Sequence, residues 1–522
     1  MRQVPRRHLA GWLLFSGLHL VNALFHRQWA DELQAWSIVR ESSNFSELHW
    51  HLHQDGHPAL WYLLQWPLRF ITANPGAQQV VASLFAVSIL ALLWFRSPFG
   101  LAEKVLLSLS FQLGYNLSVV SRSYVLGTFL LFLFVALMPR YKDRPWLGWT
   151  VLALLCNVQI LYAPLSYCLA LLWIDSADSR KTCLSGLSFY ALGVYWCSAT
   201  VLLNLRLLPG PVSHWFILAP AVVVTSLLLV AILGKPGPRG IAVVSWAALP
   251  PLGFVFTILQ PGKANIAASV SNLGRGVLPV VNPLQPDYWH LGMPDSVGVT
   301  LALVAGLAIC LYLRPQPFLV ALLGLHAGVV LLISCYLHPG FLWHAGVFFT
   351  GFLSIVWFAR GARLTLGPGW LLLLLLVPQA LVGTNAMARS KWTPISSSYA
   401  TANWIREQEI PPERLMGFRI FPTLGVAAYL EEPFYFPEMK RETAVFDWQS
   451  GAKPKQAAGR IAKRMRELQL DRAYLVAPEG VEALRDWLAF FGVSCSELYL
   501  SPNSLRGRYQ VWELQLSVTS PP

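Results

Sequence analysis

The chain alternates long apolar runs with short polar connections over its first three quarters and then changes character. Apolar stretches near 9–25, 58–74, 78–95, 103–119, 122–139, 146–174, 184–204, 213–234, 241–259, 297–313, 316–337, 342–359 and 366–385 have lengths close to those that carry a helix across a bilayer. They predict a polytopic α-helical membrane protein with about 11–13 transmembrane helices. The run 146–174 suits either one tilted helix or a broken pair, and Pro164, preceded by Asn157 and Gln159, makes a break near its middle plausible. Beyond residue 385 the pattern shortens to helices at 400–407, 457–468 and 479–491, strands at 443–448 and 473–476, and a terminal strand pair at 497–500 and 509–518. That alternation predicts a small α/β domain over 386–522, following a transmembrane module over 1–385.

Composition strengthens the membrane reading. Of 522 residues 55% are hydrophobic and only 12% charged, which excludes an ordinary soluble enzyme. The 22 Trp and 17 Tyr suit interfacial anchoring and packing between helices. A net charge of +13 would suit nucleic acid, but Arg and Lys stand at the ends of apolar runs, as in RPW, DSRK and GKPGPRG. That placement signals topology and contact with anionic lipid headgroups, not nucleic acid. Cys156, Cys168, Cys197, Cys310 and Cys335 lie inside apolar runs without metal-ligand spacing, and read as small buried hydrophobes.

The basic start MRQVPRRH and the absence of a small-x-small cleavage site before His26-Arg27 predict a retained first helix with a cytoplasmic N-terminus. Basic loops at Arg180-Lys181, Lys235–Arg239, Arg314 and Arg360–Arg363 then place 260–296, His338–Trp343 and the C-terminal domain outside. Parity fails earlier. Counting forward brings Arg122 to the inner face, whereas counting back from Arg140, Lys142 and Arg144 brings it to the outer face. Either one apolar stretch between 58 and 119 does not cross, or 146–174 holds two helices.

The densest chemistry lies in Asp31–Trp61, a polar insert between two apolar segments. It holds Asp31, Glu32, Glu41, Glu47 and Asp55 with His49, His51, His53 and His57. Titratable groups this close to lipid are costly to maintain, so this outer loop, 26–57, is the candidate catalytic segment. His51, His53 and His57 with Asp55 have spacing that permits a divalent metal without requiring one. Arg122, beside Tyr124 at the junction of two apolar runs, suits an anionic phosphate, or equally snorkels to headgroups. The segment 260–296, with Lys263, Arg275 and His290, is a candidate lid or a plain surface loop, and His338 and His344 are candidate cavity residues or a packed interfacial pair. The C-terminal domain has no Gly-rich phosphate loop and no catalytic triad spacing, which points to substrate docking.

The order of these motifs resembles that of the membrane-embedded glycosyltransferases of the C superfamily, and most closely the branch of protein O-mannosyltransferases and the lipid A aminoarabinose transferase. Asp31-Glu32 matches the family's acidic pair, Asp55-Gly56-His57-Pro58 its "aspartate, x, His or Lys, Pro" element, and Arg122 with Tyr124 its arginine-tyrosine element. Ala59 replaces the second proline of His-Pro-Pro, and an aspartate that some relatives carry after the arginine is missing, which suits a divergent bacterial relative. The resemblance is most specific over the N-terminal third.

The resemblance implies inverting transfer of a sugar from a polyprenyl-phosphate-linked donor to a glycan, lipid or protein acceptor on the outer face of the bacterial inner membrane, in cell-envelope assembly. Asp31 would serve as base, with Glu32 and Asp55 orienting it or binding donor hydroxyls, and His57, Arg122 and Tyr124 would bind the donor phosphate. A single phosphate can be handled by protein cations, so no obligatory metal or other cofactor is expected. The competing class is a transporter or flippase of lipid-linked glycan intermediates. It predicts hydropathy repeats and charges spread over both halves, whereas the acidic groups here gather in one loop.

Overall fold

The computed structural model of the chain describes residues 5–55, 57–176, 184–204, 223, 225, 227–228, 266–280, 293–336, 342–446 and 451–517. Among these, seven helices are long and apolar enough to cross a membrane: Arg6–Phe25, Gly76–Arg96, Ser123–Tyr141, Asp295–Leu313, Pro317–Cys335, Leu342–Gly361 and Gly369–Arg389. Of the expected span at 213–234 only residues 223, 225 and 227–228 are described, and the one at 241–259 lies outside the described residues.

Three of the other expected spans are broken, each for a local reason. The stretch 58–74 forms helix Leu60–Gln65 and then the 3-10 turn Trp66–Phe70, with Pro67 at its first turn. Six helical residues rise only about 9 Å, far short of a bilayer. The stretch 103–119 stops as an α-helix at Leu109, because Ser110 turns to an extended ψ of 148° and its hydroxyl caps the π-helical turn Phe111–Asn116. The run 146–174 is indeed two helices, Pro145–Cys156 and Tyr162–Ser176, separated at Asn157. Pro164 falls in the first turn of the second helix, where a missing N–H costs nothing.

The chain divides into two compact units. The first comprises Met1–Leu24, Gly56–Trp61 and Ala82–Arg389, and holds most of the apolar helices. A buried amide network organises part of it. Gln112 donates through Nε2 to the carbonyls of Gly276 at 2.8 Å and Leu342 at 3.3 Å, and its backbone N–H donates to Gln379 Oε1. Gln379 Nε2 in turn donates to the carbonyls of Gly276 and Val277. Glycine permits this approach: a Cβ on Gly346 would sit 2.4 Å from Gln112 Oε1, and one on Gly276 would sit 2.2 Å from the Ala345 Cβ. Where lipid offers no hydrogen bonds, such amides join the π-helical turn to helices Ile266–Val277, Leu342–Gly361 and Gly369–Arg389.

The second unit comprises Phe25–Asp55, Tyr62–Val81 and Ser390–Pro522, so the polar insert as far as Asp55 groups with the C-terminal domain. Its six strands are β1 (Leu415–Gly417), β2 (Phe434–Phe436), β3 (Arg441–Thr443), β4 (Arg472–Pro478), β5 (Val493–Leu500) and β6 (Tyr509–Leu516). They pair in the order β3-β2-β1-β4-β6-β5, with β1 parallel to β2 and β4 and the remaining pairs antiparallel. Alternation along β4 sends Ala473, Leu475 and Ala477 to a core shared with Ile461, Met465, Leu484 and Leu488 of helices Pro454–Glu467 and Glu482–Phe490. Val476 faces the other core, with Ile405 and Leu424 of helices Ser398–Glu407 and Ile420–Leu430. Leu33, from helix Ala30–Glu41 of the insert, is buried in that second core. The strand expected at 443–448 runs instead from Arg441 to Thr443, because Thr443–Phe446 turns away to bind Glu41 and Gln34.

Candidate functional site

The insert opens with a helix whose start is built around Glu32. Its carboxylate accepts from the Trp29 N–H at 3.2 Å, as the third-residue partner of a capping box, and pairs with His26 Nε2 at 2.9 Å. Glu32 is fully buried, and Gln78 Nε2 donates to its carbonyl at 3.0 Å. Asp31, in the same first turn, is half-buried and so is the more accessible carboxylate of the pair.

Asp55 ends helix Phe45–Asp55 and is 9% exposed. Tyr62 donates its hydroxyl to Asp55 Oδ2 at 2.5 Å, and Gln34 Nε2 stands 3.5 Å from Oδ1. Gln34 also clasps one residue of the C-terminal domain, donating to the Phe446 carbonyl and accepting from the Phe446 N–H, each at 3.0 Å. Glu41 accepts from the Thr443 hydroxyl at 2.9 Å and from the Ala444 N–H. Burial nevertheless pushes the Glu41 carboxyl above its ordinary value, with these hydrogen bonds offsetting part of the effect.

The insert's histidines divide. His51 is buried, and burial lowers its pKa. Since the Ser42 hydroxyl donates to the Ile38 carbonyl, His51 Nδ1 is the donor in its 3.0 Å bond to Ser42. His49 is exposed. Among the described residues, no three His, Cys, Asp or Glu side chains gather as metal ligands.

Within the first unit, Arg122 occupies the residue before helix Ser123–Leu137 in extended conformation. Its guanidinium lies 5.4 Å from the Tyr124 ring and 5.5 Å from the Trp343 ring, and the Tyr124 and His344 rings are 6.5 Å apart. The Tyr124 carbonyl accepts from the Tyr162 hydroxyl at 3.0 Å, which fixes the first helical turn. Arg122 and Tyr124 thus form one cation–aromatic cluster with Trp343 and His344, which lie far along the chain from them. A guanidinium beside the N–H groups of a helix start suits an anion.

His57 belongs to the same unit and is half-exposed. Lys263, His290 and His338 lie outside the described residues. Arg275 is 5% exposed and spent on structure: it donates to the Met293 carbonyl and pairs with Asp295 at 3.1 Å, at the start of helix Asp295–Leu313. The described parts of the candidate lid, 266–280 and 293–296, include the helix Ile266–Val277. Sequence reading did not single out His26, Gln34, Tyr62 or Trp343. Of these only His26 carried a signal, standing just ahead of the Glu32 capping position.

No protein-family model matches the sequence, and no curated protein matches it. Among solved structures the chain is similar to the oligosaccharyltransferase of Archaeoglobus fulgidus in three forms. With that enzyme tethered to an acceptor peptide, identity is 12%, coverage 92% of this chain and 70% of the other, and TM-score 0.44. In complex with Zn and sulfate the values are 14%, 92%, 69% and 0.40, and for the apo form 12%, 92%, 71% and 0.44. Overlap at this level establishes neither family nor activity.

Proposed function

We propose that this chain is an inverting glycosyltransferase that moves a sugar from a polyprenyl-phosphate donor to a hydroxyl-bearing acceptor outside the cytoplasmic membrane. The observation that carries the reading is Arg122, set at a helix start between the Tyr124 and Trp343 rings with His344 beside them. A lipid phosphate leaving group requires such a cation in low dielectric.

In this reaction the acceptor oxygen attacks the anomeric carbon, the bond from that carbon to the phosphate oxygen breaks, and the phosphate departs with the electron pair. A carboxylate takes the acceptor proton. Asp31 is the base in this account, because it is half-buried where Glu32 is fully buried and Asp55 is only 9% exposed. Glu32 then positions the helix that carries Asp31, and Asp55 holds donor hydroxyls. His57 joins Arg122 and Tyr124 at the phosphate.

Replacing Arg122 tests the phosphate assignment. Arg122→Ala weakens binding of a polyprenyl-phosphate sugar by about 10- to 100-fold, the worth of a charge-assisted hydrogen-bonded pair. Titration of the purified protein in detergent measures it, and an unchanged affinity removes Arg122 from the site. Activity persists after chelation of divalent cations under this scheme, and its loss would bring a metal into the mechanism.

A further inference from the structure

The segment between the polar insert and the helix Gly76–Arg96 carries apolar side chains that no described residue of its own unit covers. Phe70 is 71% exposed and Ile71 80% exposed, beside Phe45 at 50%. A loosely held loop would turn such residues inward, but this one is fixed in place. Trp66 donates through Nε1 to the Ser42 carbonyl at 3.4 Å, Arg69 Nη2 reaches the Ser43 carbonyl at 3.4 Å, and Trp36 Nε1 grips the Ala73 carbonyl at 2.8 Å. The rings form one ledge: Phe45 meets Trp66 edge-on at 6.3 Å, Trp66 meets Phe70 at 6.1 Å, and the Arg69 guanidinium lies 4.9 Å from the Phe70 ring. Arg69 is half-buried, and its buried Nη1 has no hydrogen-bond partner among the described residues.

We propose that this ledge, Phe45, Trp66, Arg69, Phe70 and Ile71, docks on the bilayer interface, its rings among the upper acyl chains and Arg69 on an anionic lipid phosphate. Two observations select lipid over a protein partner. Ile71 stands five residues before Gly76, where a helix long and apolar enough to span the membrane begins, so the chain can carry it at most about 18 Å from that point. The ledge also sets the exposed rings of Phe45 and Phe70 beside a half-buried guanidinium, which is the chemistry of the headgroup layer. It is a feature of the connecting segment, and it holds whatever reaction the chain performs.

The test uses the full chain in vesicles of phosphatidylcholine with a minor fraction of phosphatidylglycerol. Phe70→benzoylphenylalanine is photolysed beside two references, Leu303→benzoylphenylalanine on an apolar helix, where Leu303 is 69% exposed, and Glu482→benzoylphenylalanine on the C-terminal domain. Expected are phospholipid adducts from positions 70 and 303 and none from 482. Phosphatidylglycerol should be enriched at position 70 by about fivefold over its mole fraction, and Arg69→Gln should remove the enrichment. Lipid adducts at 303 with none at 70, or crosslinking of position 70 to a second copy of the chain, would overturn the proposal. Lipid adducts at 70 that show no dependence on Arg69 would overturn the phosphate contact.

Discussion

At the residue scale, the three carboxylates that stood out in the sequence prove to be in different situations. Glu32 is buried against His26 and a backbone N–H, Asp55 is held by Tyr62, and Asp31 remains half-buried in the first turn of its helix. A fourth, Glu41, matters more than its place in the sequence suggested. Its folded pKa is raised, chiefly by burial, so the folded chain holds its proton more tightly than the unfolded chain does. The stability it contributes is fully present below the ordinary value of 4.5 and falls as pH rises through the folded value. Glu41→Gln keeps an acceptor for the Ala444 N–H and abolishes the titration. Thermal unfolding from about pH 4 to pH 8 should show the variant level with wild type in acid and more stable near neutrality. Parallel pH profiles for the two proteins would contradict this account of Glu41.

At the element scale, hydrophobic length identified where helices lie but not which of them cross. The run 103–119 reads as continuous because the signal that breaks it, a serine hydroxyl capping the next turn, is a local geometric event invisible to hydropathy. The break in 146–174 was legible because Asn157, Gln159 and Pro164 interrupt the apolar pattern. Gln112 and Gln379 carried no warning of their role, since a single glutamine in an apolar run is silent until its partners are known. Both serve the carbonyl of Gly276. Gln379→Leu removes donors to the Gly276 and Val277 carbonyls at 2.7 and 3.1 Å, leaving Gly276 to Gln112 and taking this donor from Val277. A loss of about 1–3 kcal/mol is expected, read as a lowered melting temperature of the purified protein. A melting temperature equal to that of wild type would mean that the network does not hold these helices.

At the scale of the whole molecule, the transition near residue 386 was plain from composition, and the structure divides the chain at Arg389–Ser390. The membership of the polar insert was not legible. Leu33 looks like any apolar position on a short helix, and only the structure sets it among Ile405, Leu424 and Val476 of the C-terminal core. Gln34 and Glu41 likewise bind Phe446, Thr443 and Ala444, more than 400 positions along the chain, through backbone groups that no side-chain pattern encodes. The C-terminal domain therefore acts, in this account, as the support of the segment that carries Asp31 and Asp55. The central claim is that Asp31 is the base of a sugar transfer. Single-turnover transfer from a defined polyprenyl-phosphate sugar, with donor affinity measured on the same preparation, tests it most directly. Asp31→Asn should slow transfer by about 100-fold or more with donor affinity unchanged, and turnover near that of the wild type would contradict the account.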